Sequence, residues 1–151
     1  MVKDRPLNEI TLRKYEHPYD SSHRELVKKV CLSIGLLQPG DSRDIIVDIL
    51  LALEEGRKER RALTSLEIQA RAAELRRTHS LEEKGLAESN IRRQLKRLRD
   101  LMIVDKRSNL YHLSEFESLS VIFKNKIENF LIPQTIERIH EYLTKLDNHP
   151  K

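Results

Sequence analysis

The chain is poor in the residues that mark several classes of protein. It has one cysteine, Cys31, which cannot form an internal disulfide and is typical of a reducing compartment. Tryptophan is absent and aromatic residues make up only 5% of the chain, so leucine, isoleucine and valine have to build the core. Four glycines without a glycine-rich loop provide no cradle for nucleotide phosphates.

Long apolar runs are also missing. No stretch approaches the roughly 18 uninterrupted apolar residues of a membrane span, and no apolar run follows the N-terminal residues 1–6. We therefore expect a cytoplasmic protein without a signal peptide or a membrane segment.

The net charge of +4 comes from one segment of the chain. Residues 86–112 contain seven Lys and Arg against three Asp and Glu, whereas the other residues carry 21 charges of each sign. A localised basic stripe is typical of nucleic-acid binding. The alternative is a solvated helix face that is rich in arginine.

Apolar residues at helical spacing predict three helices before this basic segment, at 23–36, 43–55 and 65–77. Ser22 is a plausible N-cap of the first helix, and Asp41 or Ser42 of the second. Gly56 is the natural C′ residue that ends the second helix. The third begins with a capping box, Thr64 to Glu67. Residues 8–15 are either a short strand or an ordered arm.

A basic helix is predicted at 87–101, with Ile91, Leu95 and Leu98 as one apolar edge. At 100° per residue, the opposite side presents polar and basic residues, namely Ser89, Asn90, Arg93, Lys96 and Arg97. Two short β-prone runs follow within 102–113, separated by a polar turn with Lys106 and Arg107. This pattern predicts a two-stranded hairpin with a cationic tip.

The C-terminal part is predicted to be helical. A capping box at 114–117 indicates a helix start, and Pro133 indicates the start of the last helix. The last helix has apolar residues at heptad spacing, namely Ile132, Ile136, Ile139, Leu143 and Leu146. We interpret this seam as a dimerisation element. The alternative is that the seam folds back onto its own chain, against Phe116, Leu119, Phe123 and Phe130.

The order helix, helix, basic helix and hairpin over about 42–114 resembles the winged helix-turn-helix proteins found among bacterial and archaeal transcription regulators. The resemblance is carried by LTSLEI at 63–68, GLAESNIRRQLKRL at 85–98, LMIV at 101–104 and YHLS at 111–114. It implies a mainly α fold with a minor β part, a winged helix-turn-helix core with a two-stranded wing, and flanking N- and C-terminal helices. One departure is the insert at 78–85, which is longer than the usual turn.

Three regions follow from this resemblance: an arm and helix at 1–40, a DNA-binding domain at 41–114 and C-terminal helices for dimerisation at 115–151. We expect a sequence-specific transcription regulator that binds double-stranded DNA as a homodimer, with helix 87–101 in the major groove. The candidate DNA contacts are Ser89, Asn90, Arg92, Arg93, Gln94, Lys96, Arg97, Lys106 and Arg107. The alternative is a winged-helix module that binds a protein partner, as an adaptor or a subunit of a larger assembly.

Catalytic patterns are weak throughout the sequence. The six histidines include no pair at i and i+4, and none has a cysteine nearby, so we expect neither a metal site nor a cofactor. Cys31 lies among Val27, Val30 and Ile34 and is predicted to be a buried apolar residue rather than a redox sensor. We therefore do not expect an enzyme.

Overall fold

A computed structural model describes residues 4–150 of the chain as a mainly helical fold with a small antiparallel sheet. The elements before the C-terminal region are α1 (His23–Ser33), α2 (Ile45–Lys58), β1 (Leu63–Thr64), α3 (Ser65–Thr78), α4 (Glu88–Asp100), β2 (Val104–Arg107) and β3 (Leu110–Leu113). A 3₁₀ turn, Ser114–Phe116, leads to a continuous helix made of α5 (Leu119–Ile122), a π-helical segment (Phe123–Leu131) and α6 (Ile132–Asp147).

Helix α2 lies at the centre of the fold. Its residues are buried on nearly every side, and Ile46, Ile49 and Leu53 are at most 2% exposed. A helix that is buried on most sides has to be surrounded by other elements, and α1, α3, α4 and β3 pack around this one. A single core results, which extends from Val27 in α1 to Leu131 in the π-helical segment.

The sheet has three strands in the order β1-β3-β2, and both pairs are antiparallel. The predicted two-stranded hairpin is present, with Arg107 opposite Leu110, and β1 adds a third strand that the sequence analysis did not predict. Leu63 pairs with Tyr111 and is fully buried. The extended residues that precede the α3 capping box thus also close the sheet.

Two predicted helix starts are confirmed. Ser22 accepts a hydrogen bond from the backbone N–H of Glu25. Thr64 Oγ1 accepts from the N–H of Glu67 at 3.1 Å, and the Glu67 carboxylate accepts from the N–H of Thr64 at 3.0 Å, which completes the capping box. The predicted caps of α2 are wrong, because the N-cap is Asp44 and its side chain makes no capping hydrogen bond.

Gly56 does not end α2, as the sequence analysis predicted, because the helix continues to Lys58. The glycine is needed for space instead. A Cβ at position 56 would lie 2.8 Å from the carbonyl oxygen of Arg61 and 3.3 Å from the Leu63 side chain. The connector after α2 therefore folds back tightly against the helix.

The predicted capping box at Ser114 is also wrong. Glu115 and Phe116 both have φ of +54°, so the chain turns sharply here instead of starting a helix. The Phe116 ring stacks on His112 at 4.2 Å between centroids, and the helix begins at Leu119, behind the N-cap Ser118.

Pro133 lies in the first turn of α6 as predicted, but α6 is not a separate helix. The π-helical segment leads directly into α6, and the N–H of Ile132 donates to the carbonyl oxygen of Ile127, five residues back. Proline lacks an N–H, and its ring crowds the carbonyl four residues earlier in an α-helix. The wider π turns before Pro133 are therefore consistent with a proline inside a continuous helix.

The N-terminal segment is an ordered arm rather than a strand. The N–H of Arg13 donates to the carbonyl oxygen of Ser33 at 2.8 Å, and its guanidinium donates to those of Leu32 at 2.7 Å and Leu37 at 3.1 Å.

Cys31 is fully buried as predicted, and burial raises the pKa of its thiol to about 12. Within residues 4–150, no helix is long and apolar enough to cross a membrane.

Candidate nucleic-acid interface

Helix α4 docks on the core through the apolar edge that the sequence predicts. Ile91, Leu95 and Leu98 all have 0% exposure. The exposed polar and basic residues differ in part from the predicted set and are Ser89, Arg92, Arg93, Lys96 and Arg99. We call these five residues the cationic face of α4.

The charges of the cationic face are held only loosely by the chain itself. Arg92 pairs with Glu88 and Lys96 pairs with Asp100, both at i and i+4 on the exposed surface. Arg93 donates to Asn90 Oδ1 at 2.6 Å. Exposed pairs of this kind contribute about 0.3–0.5 kcal/mol each, so another anion can replace the carboxylates at little cost.

Three predicted DNA contacts lie on the flank of α4 instead. The side chains of Asn90, Gln94 and Arg97 are half-buried and hydrogen-bonded to one another along the helix. The amide Nδ2 of Asn90 donates to the carbonyl oxygen of Gly85 at 2.8 Å. The prediction that Asn90 and Arg97 lie opposite the apolar edge is therefore wrong, because this flank faces other parts of the chain.

Arg97 joins α4 to the end of α1. Its guanidinium donates to the carbonyl oxygens of Leu36 at 2.8 Å and of Gly35 at 3.3 Å. Arg13 of the arm donates to the neighbouring carbonyls from another direction. A cation beside the C-terminal carbonyls of a helix is favourable, so Arg97 holds α4 in position in this structure.

We expect Arg97→Ala to destabilise the protein by about 1.5–3 kcal/mol, the usual range for a hydrogen bond to a charged group. The loss would show as a lower midpoint in urea unfolding. Arg92→Ala is the matched control, and a surface substitution of this kind is expected to stay within about 0.5 kcal/mol of the parent. Parent-like stability of Arg97→Ala would contradict a positioning role.

The hairpin carries both predicted cations at its exposed tip, on opposite faces. Lys106 is paired with Tyr111 across the strands, and its ammonium lies 5.6 Å from the centre of the Tyr111 ring. Arg107, the next residue, points to the other face of the sheet. A partner that lies against one face of the hairpin can therefore contact only one of these two side chains.

Sequence reasoning missed two cations beside this surface. Arg99, Lys96 and Lys126 line a shallow cleft of about 380 Å³ where the end of α4 meets β2. The spacing of Arg99, seven residues after Arg92, could have identified it. Lys126 comes from the π-helical segment, and no local pattern places it beside α4.

The site offers positive charge and hydrogen-bond donors. Within 4–150, no group of three His, Cys, Asp or Glu side chains could hold a metal ion. The site's positive charges attract an anion that extends along α4.

The comparison of this chain with protein-family models found no match, and the comparisons with curated proteins and with solved structures found none either.

Proposed function

We propose that this chain is a winged helix-turn-helix protein that binds double-stranded DNA as a homodimer and regulates transcription. The observation that carries the proposal is the cationic face of α4, which is exposed on the side away from the buried edge Ile91, Leu95 and Leu98. A helix that reads DNA needs both features, one to dock on its own domain and one to face the phosphates.

The order of elements supports this assignment. Helices α2, α3 and α4 are followed directly by the β2–β3 hairpin, and β1 joins the same sheet. This is the order on which the resemblance to winged helix-turn-helix regulators is based. In this arrangement α4 is the recognition helix and the hairpin is the wing.

In the proposed complex, α4 enters the major groove, which is about 12 Å wide and admits one helix. Arg92, Arg93 and Lys96 would contact phosphates or guanine edges, since arginine can bond bidentately to guanine. One of Lys106 and Arg107, which lie on opposite faces of the hairpin, would contact the DNA backbone from the wing. Asn90, Gln94 and Arg97 would act as positioning residues that set the angle of α4.

Dimerisation completes the proposal. The seam of α6 remains available for a partner, and a two-fold dimer presents two copies of α4 to two half-sites. Reading two half-sites with one symmetric surface raises both affinity and specificity.

The test is DNA binding at several salt concentrations. We expect Arg93→Ala with Lys96→Ala to weaken binding to mixed DNA and to lower the salt slope by up to about 2, near 0.9 per lost phosphate contact. Lys106→Ala with Arg107→Ala should weaken binding by a similar factor for all DNA sequences. Both double variants should remain folded, because the four side chains are exposed.

Lys14→Ala with Lys58→Ala is the matched control, because it removes two exposed cations that lie on other elements. We expect this control to keep parent-like affinity and slope. If Arg93→Ala with Lys96→Ala also binds DNA as tightly as the parent, α4 does not read DNA. A parent protein that binds no DNA at low salt and copurifies with an acidic protein would favour the interaction module.

A further inference from the structure

Helix α6 leaves four of the five residues of its apolar seam uncovered, and only Ile132 packs against the core. Ile136, Ile139, Leu143 and Leu146 are 49%, 53%, 46% and 69% exposed, and none of the side chains described along α6 is buried. The alternative prediction, that the seam folds back onto the phenylalanines of its own chain, is therefore not what the structure shows. An apolar stripe of this length is typical of a surface that binds another protein.

A second apolar surface lies on the same chain. A groove of about 950 Å³ runs between α1 and the helix that begins at Leu119. Its apolar lining includes Leu26, Val30, Ile34, Leu119, Phe123 and Ile127. Leu26 and Val30 are more than 40% exposed, so the groove is open to a partner.

The α6 helix cannot turn back into the groove of its own chain. The residues from Leu119 to Asp147 form one continuous helix, and the first half of that helix is a wall of the groove. Because no turn interrupts the helix, α6 extends beyond the groove along the same axis. An α6 helix from a second molecule can lie in the groove instead.

The charges around the two surfaces also match a second copy. Lysines and glutamates are equal in number at the groove, namely Lys28, Lys29, Lys124, Glu16, Glu25 and Glu128. The polar side of α6 is similarly mixed, with Glu137, Arg138, Glu141, Lys145 and Asp147. Neither surface therefore attracts a strongly acidic or basic partner, and burial of apolar side chains provides the driving force.

We propose that two copies exchange their α6 helices, so that each α6 lies antiparallel in the groove of the other copy. This inference rests on the dimer part of the proposed function and specifies its geometry. A two-fold axis makes the contact isologous and covers both apolar surfaces on both copies at once. The exchanged helix has 16 residues and a length of about 24 Å.

The two-fold axis also fixes which residues meet. In an antiparallel pair of identical helices, the two residue numbers of every facing pair add up to the same sum. An axis beside Pro133 pairs Ile136 with Phe130 and Leu143 with Phe123 of the other copy. The same register places Ile139 over Ile127, which is 1% exposed and lines the groove. These pairs are specific to this arrangement, because a parallel pair of α6 helices would place each seam residue against its own copy.

Disulfide trapping distinguishes the two arrangements. We expect the parent to be a dimer by light scattering, and Phe123→Cys with Leu143→Cys on one chain to become a covalent dimer under mild oxidation. An equimolar mixture of the two single variants should also yield a covalent dimer, whereas each single variant alone should not. The two positions are twenty residues apart on one helix, so they cannot form a disulfide within a chain.

Asn125→Cys with Leu143→Cys is the matched control, since Asn125 is exposed and does not line the groove. We expect little covalent dimer from this pair. Ser120→Cys with Leu146→Cys, which face each other in the same register, provides a second trapping pair if the Phe123 variant folds poorly. Cys31 is fully buried and remains in all variants.

Three results would overturn the proposal. These are a monomeric parent, ready cross-linking of Leu143→Cys alone, and a dimer in which neither trapping pair cross-links. None of these measurements uses DNA. Failure of the exchanged dimer is therefore distinguishable from failure of DNA binding, which the salt titration measures separately.

Discussion

Asp48→Ala is expected to destabilise the protein by about 3–5 kcal/mol, the cost of removing one partner from a buried ion pair. Asp48 is fully buried in α2, and its carboxylate accepts hydrogen bonds from Arg24 of α1 and from Arg76 of α3, the latter at 2.7 Å. Alanine would leave two largely buried guanidinium groups sharing one carboxylate, that of Asp44. Urea unfolding monitored by circular dichroism measures the loss.

The exposed Asp20 provides the control, because Asp20→Ala removes a carboxylate of the same kind from the surface. Asp48→Leu with Arg76→Leu tests the pairing itself. This double variant leaves Arg24 and Asp44 as a pair. Its loss of unfolding free energy should therefore be smaller, by about 0.5–3 kcal/mol, than the summed losses of Asp48→Leu and Arg76→Leu. Additive losses would mean that the ionic contacts contribute little.

The same cluster predicts a dependence of stability on pH. Burial acts to raise the pKa of Asp44, but the hydrogen bond from Arg76 and the positive charges nearby outweigh it, and the pKa lies below its ordinary value. A lowered pKa in the folded state stabilises the protein above the unfolded-state value of about 3.9, and this contribution is lost as the pH falls through the folded-state pKa. We expect Asp44→Asn to show a smaller loss of unfolding free energy below pH 4 than the parent. Equal acid sensitivity of the two proteins would contradict this.

Ile139→Asp with Leu143→Asp is expected to convert the proposed dimer into a folded monomer. Both side chains are about half exposed within one chain, so aspartate at these positions costs little until a partner covers it. Binding to DNA with two half-sites should weaken by about 100- to 10,000-fold, the range by which linked sites exceed single ones. Light scattering and circular dichroism report the mass and the fold.

A matched control introduces the same charge on the other side of α6. Gln134→Asp with Thr144→Asp adds two aspartates away from the seam, on exposed positions. We expect this variant to remain a dimer with parent-like affinity. General unfolding of the Ile139 and Leu143 variant would mean that the seam packs within its own chain.

Local sequence patterns predict those parts of the fold that depend on neighbours along the chain. The edge of α4 formed by Ile91, Leu95 and Leu98 follows from helical spacing alone, and the structure buries all three completely. The Thr64 capping box likewise depends on two residues three positions apart. The Ser114 box has similar spacing, but Phe116 stacks on His112 instead, and the chain turns before the helix can start.

The composition of the candidate interface is less predictable, because it depends on contacts between distant segments. Helical spacing places Arg97 on the polar face of α4, but it does not show that the end of α1 covers the flank where Arg97 lies. Lys126 is beside α4 only because the π-helical segment passes the end of that helix. Gly56 resembles a helix terminator, although its actual role is to leave room for the carbonyl of Arg61.

The glycine at the end of α1 limits how the sequence can vary among relatives of this chain. Gly35 has φ of +81°, and a Cβ there would lie 2.5 Å from the Cβ of Thr11 in the arm. Asparagine tolerates the backbone conformation but cannot avoid this contact. In relatives that keep the arm, position 35 should therefore stay glycine, whereas asparagine becomes acceptable in those that have lost it. Variation at this single position would thus record whether the arm was retained during divergence.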